Sequence, residues 1–129
     1  MSEEAKKILK DAEEMWRRAI EEIDTNLRDS AEKAWGATVR ATDALITARK
    51  KVTQSGREAM RVRRIELDEI AEEDLKVRDA ELPERFYTRE SSLHGSCFYE
   101  GVCTPESTIK RRIRETKDYI EDVRELADL

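Results

Sequence analysis

Apolar residues recur every three or four positions along most of the chain, which is the spacing of one face of an α-helix. In the first such stretch, from Ser2 to about Thr25, that face consists of Ala5, Ile8, Leu9, Ala12, Met15, Trp16, Ala19, Ile20 and Ile23. The opposite face carries charges of both signs at helical neighbour spacings, as on a solvent-exposed helix surface. The pattern predicts one long amphipathic helix.

A second helix is predicted from Asp29-Ser30, whose side chains can cap a helix start, to about Thr53. The break between the two helices is short, so the helices should form an antiparallel hairpin. Small residues dominate the apolar face of the second helix and would let a neighbouring helix approach closely, with Trp35 as its largest side chain. That face consists of Ala31, Ala34, Trp35, Ala37, Thr38, Ala41, Ala44, Leu45, Ala48 and Val52.

Gln54-Ser55-Gly56 reads as a turn, and a third helix is predicted from there to about Ala80. Its inner face is less regular than the others and contains a charged residue: Ala59, Met60, Arg63, Ile65, Leu67, Ile70, Ala71, Leu75 and Val77. Leu82-Pro83 should end this helix, because the residue before a proline resists α geometry.

A fourth helical segment follows Pro83, with an expected interruption at Gly95. Thr104 and Pro105 predict the start of a last helix, with the threonine as cap and the proline in the first turn. That helix should run almost to Leu129. These elements predict a single domain over residues 1–129, an all-α antiparallel bundle of about five helices.

Composition supports a charged, all-helical protein, since 43% of the 129 residues are charged and 38% are apolar. The chain has one asparagine and one glutamine among many Glu, Lys and Arg, which is typical of proteins selected for heat. The start of the chain is acidic, and no apolar run reaches the length of a secretory core or a membrane span. A cytoplasmic protein without membrane contact is therefore expected.

Two cysteines, Cys97 and Cys103, lie six residues apart. On a continuous helix this separation is about 9 Å of rise, which a disulfide cannot bridge. A bridge would require the helix to end near Gly101. The favoured expectation is a pair of free, partly buried thiols, although disulfides do persist inside the cells of hyperthermophiles.

Metal and cofactor chemistry find little support in the sequence. The chain has a single histidine and no Glu-x-x-His spacing for a di-iron bundle, and two cysteines are too few for a structural zinc. No glycine-rich phosphate loop occurs, so no cofactor is expected. The net charge of −5 argues against binding duplex DNA over a broad face.

Candidate chemistry is concentrated in residues 81–101, which contain the only histidine, His94. Arg89 precedes it with four residues between. Arginine is a permanent cation suited to a phosphate, and histidine moves protons near neutral pH, so the pair could cleave RNA without a metal. The structural alternative is that His94 packs or caps inside the bundle while Arg89 pairs with Glu90 or a neighbouring acid.

Three segments carry a family resemblance: residues 30–37 (SAEKAWGA), Leu93-His94, and residues 98–101 (FYEG). Together they resemble the PaREP family of archaeal proteins, within the wider HEPN group of helical bundles. The resemblance implies a HEPN-like fold and a homodimer. Many HEPN proteins carry Arg, four to six residues, then His, and cleave RNA without metal, often as toxins or in defence and sometimes beside a nucleotidyltransferase partner.

Carried onto this chain, the resemblance makes Arg89 and His94 the catalytic pair of a possible endoribonuclease. Residues expected to line the cleft or contact RNA are Arg85, Tyr87, Glu90 and Tyr99, whereas Phe86 and Phe98 are expected to pack. Metal-free cleavage ordinarily uses both an acid and a base, which a two-fold dimer would supply from its two copies of His94.

Glu90 departs from the resemblance, because active members usually carry Asn, Asp or His after the arginine. Some HEPN proteins are catalytically silent. The alternative function is therefore an inactive dimeric module that binds a nucleotide, a nucleic acid or a protein partner.

Overall fold

The computed structural model describes residues 2–49 and 59–129, which are helical apart from short connections. The α-helices are α1 (Glu3–Glu22), α2 (Leu27–Ala48), α3 (Ala59–Glu73), α4 (Leu75–Asp79), α5 (Leu82–Arg89) and α6 (Glu106–Leu126), and a π-helix (Glu90–Tyr99) follows α5. The prediction of an all-α bundle is confirmed. The turn expected at Gln54-Ser55-Gly56 and the helix end expected at Thr53 lie outside the described residues.

Helices α1 and α2 form the predicted hairpin, with a different cap. Asn26, not Asp29-Ser30, caps α2, and its side chain accepts the backbone N–H of Asp29 at 3.1 Å. Ser30 lies inside the helix, fully buried, and its hydroxyl donates to the Ala19 carbonyl of α1 at 2.6 Å. The expected cap was wrong because Asn26 is itself a strong capping residue three positions upstream.

Close contact between α1 and α2 depends on the small residues predicted for this face. A Cβ placed on Gly36 would lie 2.3 Å from Cε of Met15, so a larger side chain could enter only by displacing the methionine. Helix α2 also contacts α3, α5, α6 and the π-helix. It is therefore the central helix of the bundle, and Trp35 on it is only 4% exposed.

The third predicted helix is divided in two. Helix α3 ends at Glu73, and the Asp74 carboxylate caps α4 by accepting the backbone N–H of Lys76 at 2.9 Å. Arg49, just beyond the end of α2, donates to the other oxygen of Asp74 at 2.8 Å and holds it in place. The apolar period continued through this break, which is why the sequence predicted one helix.

Helix α5 begins at Leu82-Pro83 as predicted, after Glu81 adopts a left-handed conformation with φ 56°. The interruption expected at Gly95 is wrong, since the π-helix passes through this residue. A glycine inside a helix costs only about 1 kcal/mol, which surrounding contacts can offset. The π-helix ends at Tyr99, and Gly101, with φ 75°, reverses the chain.

The expectation of free thiols is wrong, because Cys97 and Cys103 form a disulfide. The π-helix ends near Gly101, as a bridge between the two cysteines required. The turn at Gly101 brings Cys103 back to a Cα–Cα distance of 4.3 Å from Cys97. The start of α6 also differs from prediction. Pro105 occupies the N-cap position after a cis peptide bond, and Thr104 does not act as the cap.

Buried polar groups connect α2 to its neighbours. Asp43 accepts two hydrogen bonds from Arg63 of α3, Nε to Oδ1 at 2.6 Å and Nη2 to Oδ2 at 3.2 Å. The fully buried Tyr119 of α6 donates its hydroxyl to Thr42 at 2.6 Å, since the Thr42 hydroxyl itself donates to the Thr38 carbonyl. No described helix is long and apolar enough to cross a membrane.

The burial of the Tyr119 phenol predicts a measurable loss of stability at alkaline pH. Burial raises its pKa to about 12, whereas the unfolded chain ionises this phenol near 10. The folded-state pKa is the higher one, so stability is fully present below pH 10 and is lost as pH rises towards 12. Between about pH 9 and about pH 11, wild type should lose about 1 kcal/mol more unfolding free energy than Tyr119→Phe. Urea titrations at both pH values measure the difference, and equal losses would contradict it.

Candidate functional site

His94 forms a hydrogen-bonded pair with a carboxylate on another helix. Its Nδ1 lies 2.8 Å from Oε1 and 3.1 Å from Oε2 of Glu32 on α2, so Nδ1–H donates to the carboxylate. This contact fixes the tautomer and leaves Nε2 as the nitrogen with a free lone pair. Nε2 has no hydrogen-bond partner among the described residues, and the His94 side chain is 36% exposed. The arrangement suits proton transfer at the protein surface.

Three aromatic rings surround this imidazole. The Trp35 ring lies 5.9 Å away, centroid to centroid, and comes from the turn of α2 that follows Glu32. The Phe98 ring is nearly parallel to the imidazole at 6.4 Å, and the Tyr99 ring meets it edge-on at 5.7 Å. We call Glu32, Trp35, His94, Phe98 and Tyr99 the His94 site. Its rings hold the imidazole in one orientation while leaving one side open.

Tyr99 makes the open side of the His94 site apolar. The residue is 74% exposed, and Val102 close after it in the chain is 51% exposed. An exposed aromatic ring beside a proton-transfer group could stack against a nucleobase, because every base presents a flat π face. Tyr99, which the sequence offered as a possible RNA contact, therefore lies next to His94.

The π-helix sets the direction of these side chains. Its hydrogen bonds join residues five apart, and it contains three members of the site, His94, Phe98 and Tyr99. At its C-terminal end, the Arg28 guanidinium donates to the Phe98 carbonyl from Nε at 3.0 Å and from Nη2 at 2.5 Å. A cation there stabilises the unpaired carbonyls of the last turn. π-Helices are rare and occur frequently at functional sites.

Arg89, the other predicted catalytic residue, points into the bundle. It is 5% exposed, and its Nε donates to the Thr116 hydroxyl at 3.0 Å. Its terminal nitrogens donate to the carbonyls of Arg85 at 3.3 Å and Arg112 at 3.4 Å, and its guanidinium lies 5.9 Å from the Tyr119 ring centre. Burial, above all, lowers its pKa to about 10.

Among the described residues, the side chains of Arg89 and His94 share no hydrogen-bonding or ring partner. No described carboxylate forms an ion pair with Arg89, and the pair with Glu90 that the structural alternative expected does not form. Glu90 instead accepts from Arg64 of α3 at 2.6 Å. In the same alternative, His94 was expected inside the bundle, whereas it lies at the surface with Glu32.

The remaining predicted residues have partners of their own. Arg85 donates to Asp122 of α6 at 2.7 Å and lies 5.3 Å from the centre of the Tyr119 ring. The Tyr87 hydroxyl donates to Asp68 of α3 at 2.7 Å, and burial together with that carboxylate raises the Tyr87 pKa to about 12. The structure thus brings Tyr99 to His94, and Arg85 to Arg89. Phe86 is fully buried and Phe98 half-buried, as expected for packing residues.

Sequence reasoning missed Glu32 as a member of the site. It lies in the SAEKAWGA segment at residues 30–37, three residues before Trp35, so a signal was present in the chain. Periodicity shows only that Glu32 borders the buried face of α2. Which element packs there is a long-range property, and no local pattern pairs position 32 with position 94.

Metal ligation finds no support in the described ranges 2–49 and 59–129. They contain no group of three or more His, Cys, Asp or Glu side chains placed to hold a metal ion.

A comparison with models of known protein families finds a match. The family model described as the archaeal PaREP1/PaREP8 family matches residues 2–124. The matched range includes every residue of the His94 site as well as Arg89. Comparisons with curated proteins and with solved structures found no match.

Proposed function

Because the chain belongs to the archaeal PaREP1/PaREP8 family and its sequence resembles HEPN proteins, we propose that it is a metal-independent endoribonuclease acting as a homodimer. The single observation that carries this proposal is the Glu32–His94 pair, with Nε2 unbonded at the surface. A carboxylate on Nδ1 orients the imidazole and stabilises the imidazolium that forms when Nε2 takes a proton.

The proposed reaction is an attack within the RNA chain. Nε2 of His94 takes the proton of a ribose 2′-hydroxyl, and the 2′-oxygen forms a bond to the adjacent phosphorus. The bond from phosphorus to the 5′-oxygen breaks, and that oxygen receives a proton from a general acid. The products are a 2′,3′-cyclic phosphate and a 5′-hydroxyl. The exposed Tyr99 ring would stack on a base beside the cleaved bond.

The homodimer supplies the missing acid in this proposal. With only one histidine per chain, a protonated His94 from the second copy would protonate the leaving oxygen. Arg89 would neutralise the negative charge that develops on the phosphate oxygens, as the resemblance implies. For direct contact its guanidinium must leave Thr116, so the geometry supports the histidine half of the pair more strongly than the arginine half.

A toxin or defence role, a nucleotidyltransferase-type partner and a cytoplasmic location belong to the same proposal and rest on the resemblance alone. The second candidate function is a catalytically silent dimeric module that binds a nucleotide, a nucleic acid or a protein. The burial of Arg89 favours this candidate, because a cation bonded to Thr116 and two carbonyls contributes to packing without needing a substrate.

Cleavage of end-labelled RNA in EDTA tests the proposal. Wild type should cleave, and both His94→Ala and Glu32→Ala should be slower, by about 100-fold for the histidine variant, since acid and base groups contribute at least that much. Glu14→Ala is the matched control, because Glu14 is an exposed glutamate on α1 without a partner in the described structure. Equal cleavage by wild type and His94→Ala would contradict the proposal. Absence of cleavage with retained binding of RNA or a nucleotide would favour the second candidate.

Mixed dimers test whether two copies of His94 act together. After subunit exchange in an equal mixture of wild type and His94→Ala, about one quarter of dimers retain both histidines. Cleavage should fall to that fraction of the wild-type rate at equal total protein. A fall to one half would show that each copy acts alone.

A further inference from the structure

The Cys97–Cys103 disulfide lies directly beside the His94 site. Cys97 is a fully buried residue of the π-helix, and Cys103 is half-buried in the connection to α6. The chain between the two cysteines contains Phe98 and Tyr99, whose rings contact the His94 imidazole. The disulfide therefore closes a small loop that includes two rings of the site.

Hydrogen bonds also hold this loop, since Arg28 donates to the carbonyls of Phe98 and Tyr99, and Glu100 N–H donates to the Gly95 carbonyl at 3.1 Å. Gly101 N–H donates to the Cys97 carbonyl at 3.1 Å, and Val102 N–H donates to the Ser96 carbonyl at 2.8 Å. Beyond them, the backbone groups of Cys103 and Thr104 form no hydrogen bond with the described residues. The disulfide is thus the bond that joins Cys103 to the end of the π-helix.

A π-helix needs such links because its register is uncommon. Long runs with hydrogen bonds five residues apart are rare, and local departures from favoured backbone geometry persist only where surrounding contacts determine them. Here the Arg64–Glu90 ion pair holds the first residue, while the disulfide and the two Arg28 bonds hold the last turn. A shift of one residue in register turns the following side chains by about 100°.

We propose that the Cys97–Cys103 disulfide is a redox switch for the His94 site. The oxidised chain holds the π-helix in the register that joins His94 to Glu32 and places Phe98 and Tyr99 against the imidazole. The reduced chain loses this register in its last turns, and the Glu32–His94 pair separates. The consequence for RNA cleavage rests on the proposed function, whereas the change at the imidazole does not.

The chemical step is thiol–disulfide exchange with a dithiol reductant. A thiolate of the reductant attacks Sγ of Cys103, because the other sulfur belongs to a fully buried residue. The bond between the two protein sulfurs breaks, and Cys97 leaves as a thiolate that takes up a proton. The second thiol of the reductant then displaces Cys103 as a thiol and forms the reductant's own disulfide. Two electrons and two protons pass to the protein.

The single histidine allows a direct test by nuclear magnetic resonance. In protein labelled with ¹⁵N at histidine, every imidazole signal belongs to His94. At about pH 9, the oxidised protein should show one tautomer with the proton on Nδ1. Dithiothreitol should convert this spectrum to the mixture of both tautomers that a freely exposed imidazole adopts. Far-ultraviolet circular dichroism reports whether the rest of the bundle stays helical.

The double variant Cys97→Ala/Cys103→Ala provides the matched control, because it lacks the bond without any reductant. It should show the mixed tautomers from the start and not respond to dithiothreitol. The proposal would be overturned by an unchanged tautomer in protein whose two thiols have been counted as reduced, by free thiols before reduction, or by global unfolding on reduction. None of these readouts uses RNA, so a failure of the switch is distinguishable from a failure of the proposed nuclease.

Discussion

Replacing Asp43 by alanine is expected to lower the free energy of unfolding by about 3 kcal/mol or more, because one member of a buried ion pair loses its partner. Asp43 is 4% exposed and holds the Arg63 guanidinium through two hydrogen bonds. The Arg63 side chain is itself 15% exposed, so water could only partly replace the lost carboxylate. A second cation, Arg40, lies 3.8 Å from Asp43 but keeps its closer partner Asp11 at 2.9 Å, so the cost falls on Arg63.

Urea titration measures this prediction, with Asp11→Ala as the matched control. Asp11 pairs with Arg40 at 2.9 Å, but its side chain is 49% exposed, so its loss should cost under about 1 kcal/mol. The midpoint for Asp43→Ala should fall without a change of slope. Similar urea midpoints for the two variants would show that burial of the Asp43–Arg63 pair does not determine its contribution to the free energy of unfolding. Asp43→Asn keeps a hydrogen-bond acceptor, so its urea midpoint should lie between those of Asp43→Ala and Asp11→Ala. This variant replaces Asp43→Ala in the test if the alanine variant does not fold.

The Asp43–Arg63 pair also bears on the His94 site. It attaches α3 to the central helix α2, and the next residue of α3, Arg64, holds Glu90 at the start of the π-helix. Weakening α3 should therefore loosen the first turn of the π-helix while the disulfide still holds the last. The proportions of the two His94 tautomers in Asp43→Asn would show how much each end of the π-helix contributes to its register.

The predictable part of this fold is the part governed by local periodicity. The faces of α1 and α2 follow directly from apolar residues spaced three and four apart, and Trp35 is buried as predicted. The predicted inner face of α3 included a charged residue, Arg63, and that irregularity marked a real feature. A cation on an inner face needs hydrogen-bond acceptors there, but the sequence could not show that Asp43 supplies them for Arg63.

The candidate site was less predictable because its contacts join distant segments. Residues 81–101 were singled out by their unusual composition, and His94 and Tyr99 do lie together in the structure. The contacts at the two ends of the π-helix, by contrast, come from Arg28, Arg64 and Cys103, each outside that segment. The partner of His94 was missed for the same reason, since Glu32 lies 62 residues away in the chain.

Trp35→Ala is expected to lower the free energy of unfolding by about 3 kcal/mol or more, since removing a buried aromatic side chain leaves a large cavity. The Trp35 ring is 5.0 Å from the fully buried Phe86 ring on one side and 5.9 Å from His94 on the other. Loss of the Trp35 ring should also let the His94 imidazole leave its orientation against Glu32. The prediction therefore joins two measurements: a lower urea midpoint, and a His94 spectrum with both tautomers.

The second tryptophan supplies the control for this variant. Trp16 is half-buried and donates from Nε1 to the Ile113 carbonyl at 3.0 Å, so Trp16→Ala should cost less and should leave the His94 tautomer unchanged. Trp35→Phe retains an apolar ring at position 35 and should recover most of the lost stability. If Trp35→Phe recovers stability while the imidazole stays free, the indole itself orients His94. Trp16→Ala could instead produce the same mixture of His94 tautomers as Trp35→Ala. That result would show that the stability of the whole bundle orients His94, and that direct contact with Trp35 does not.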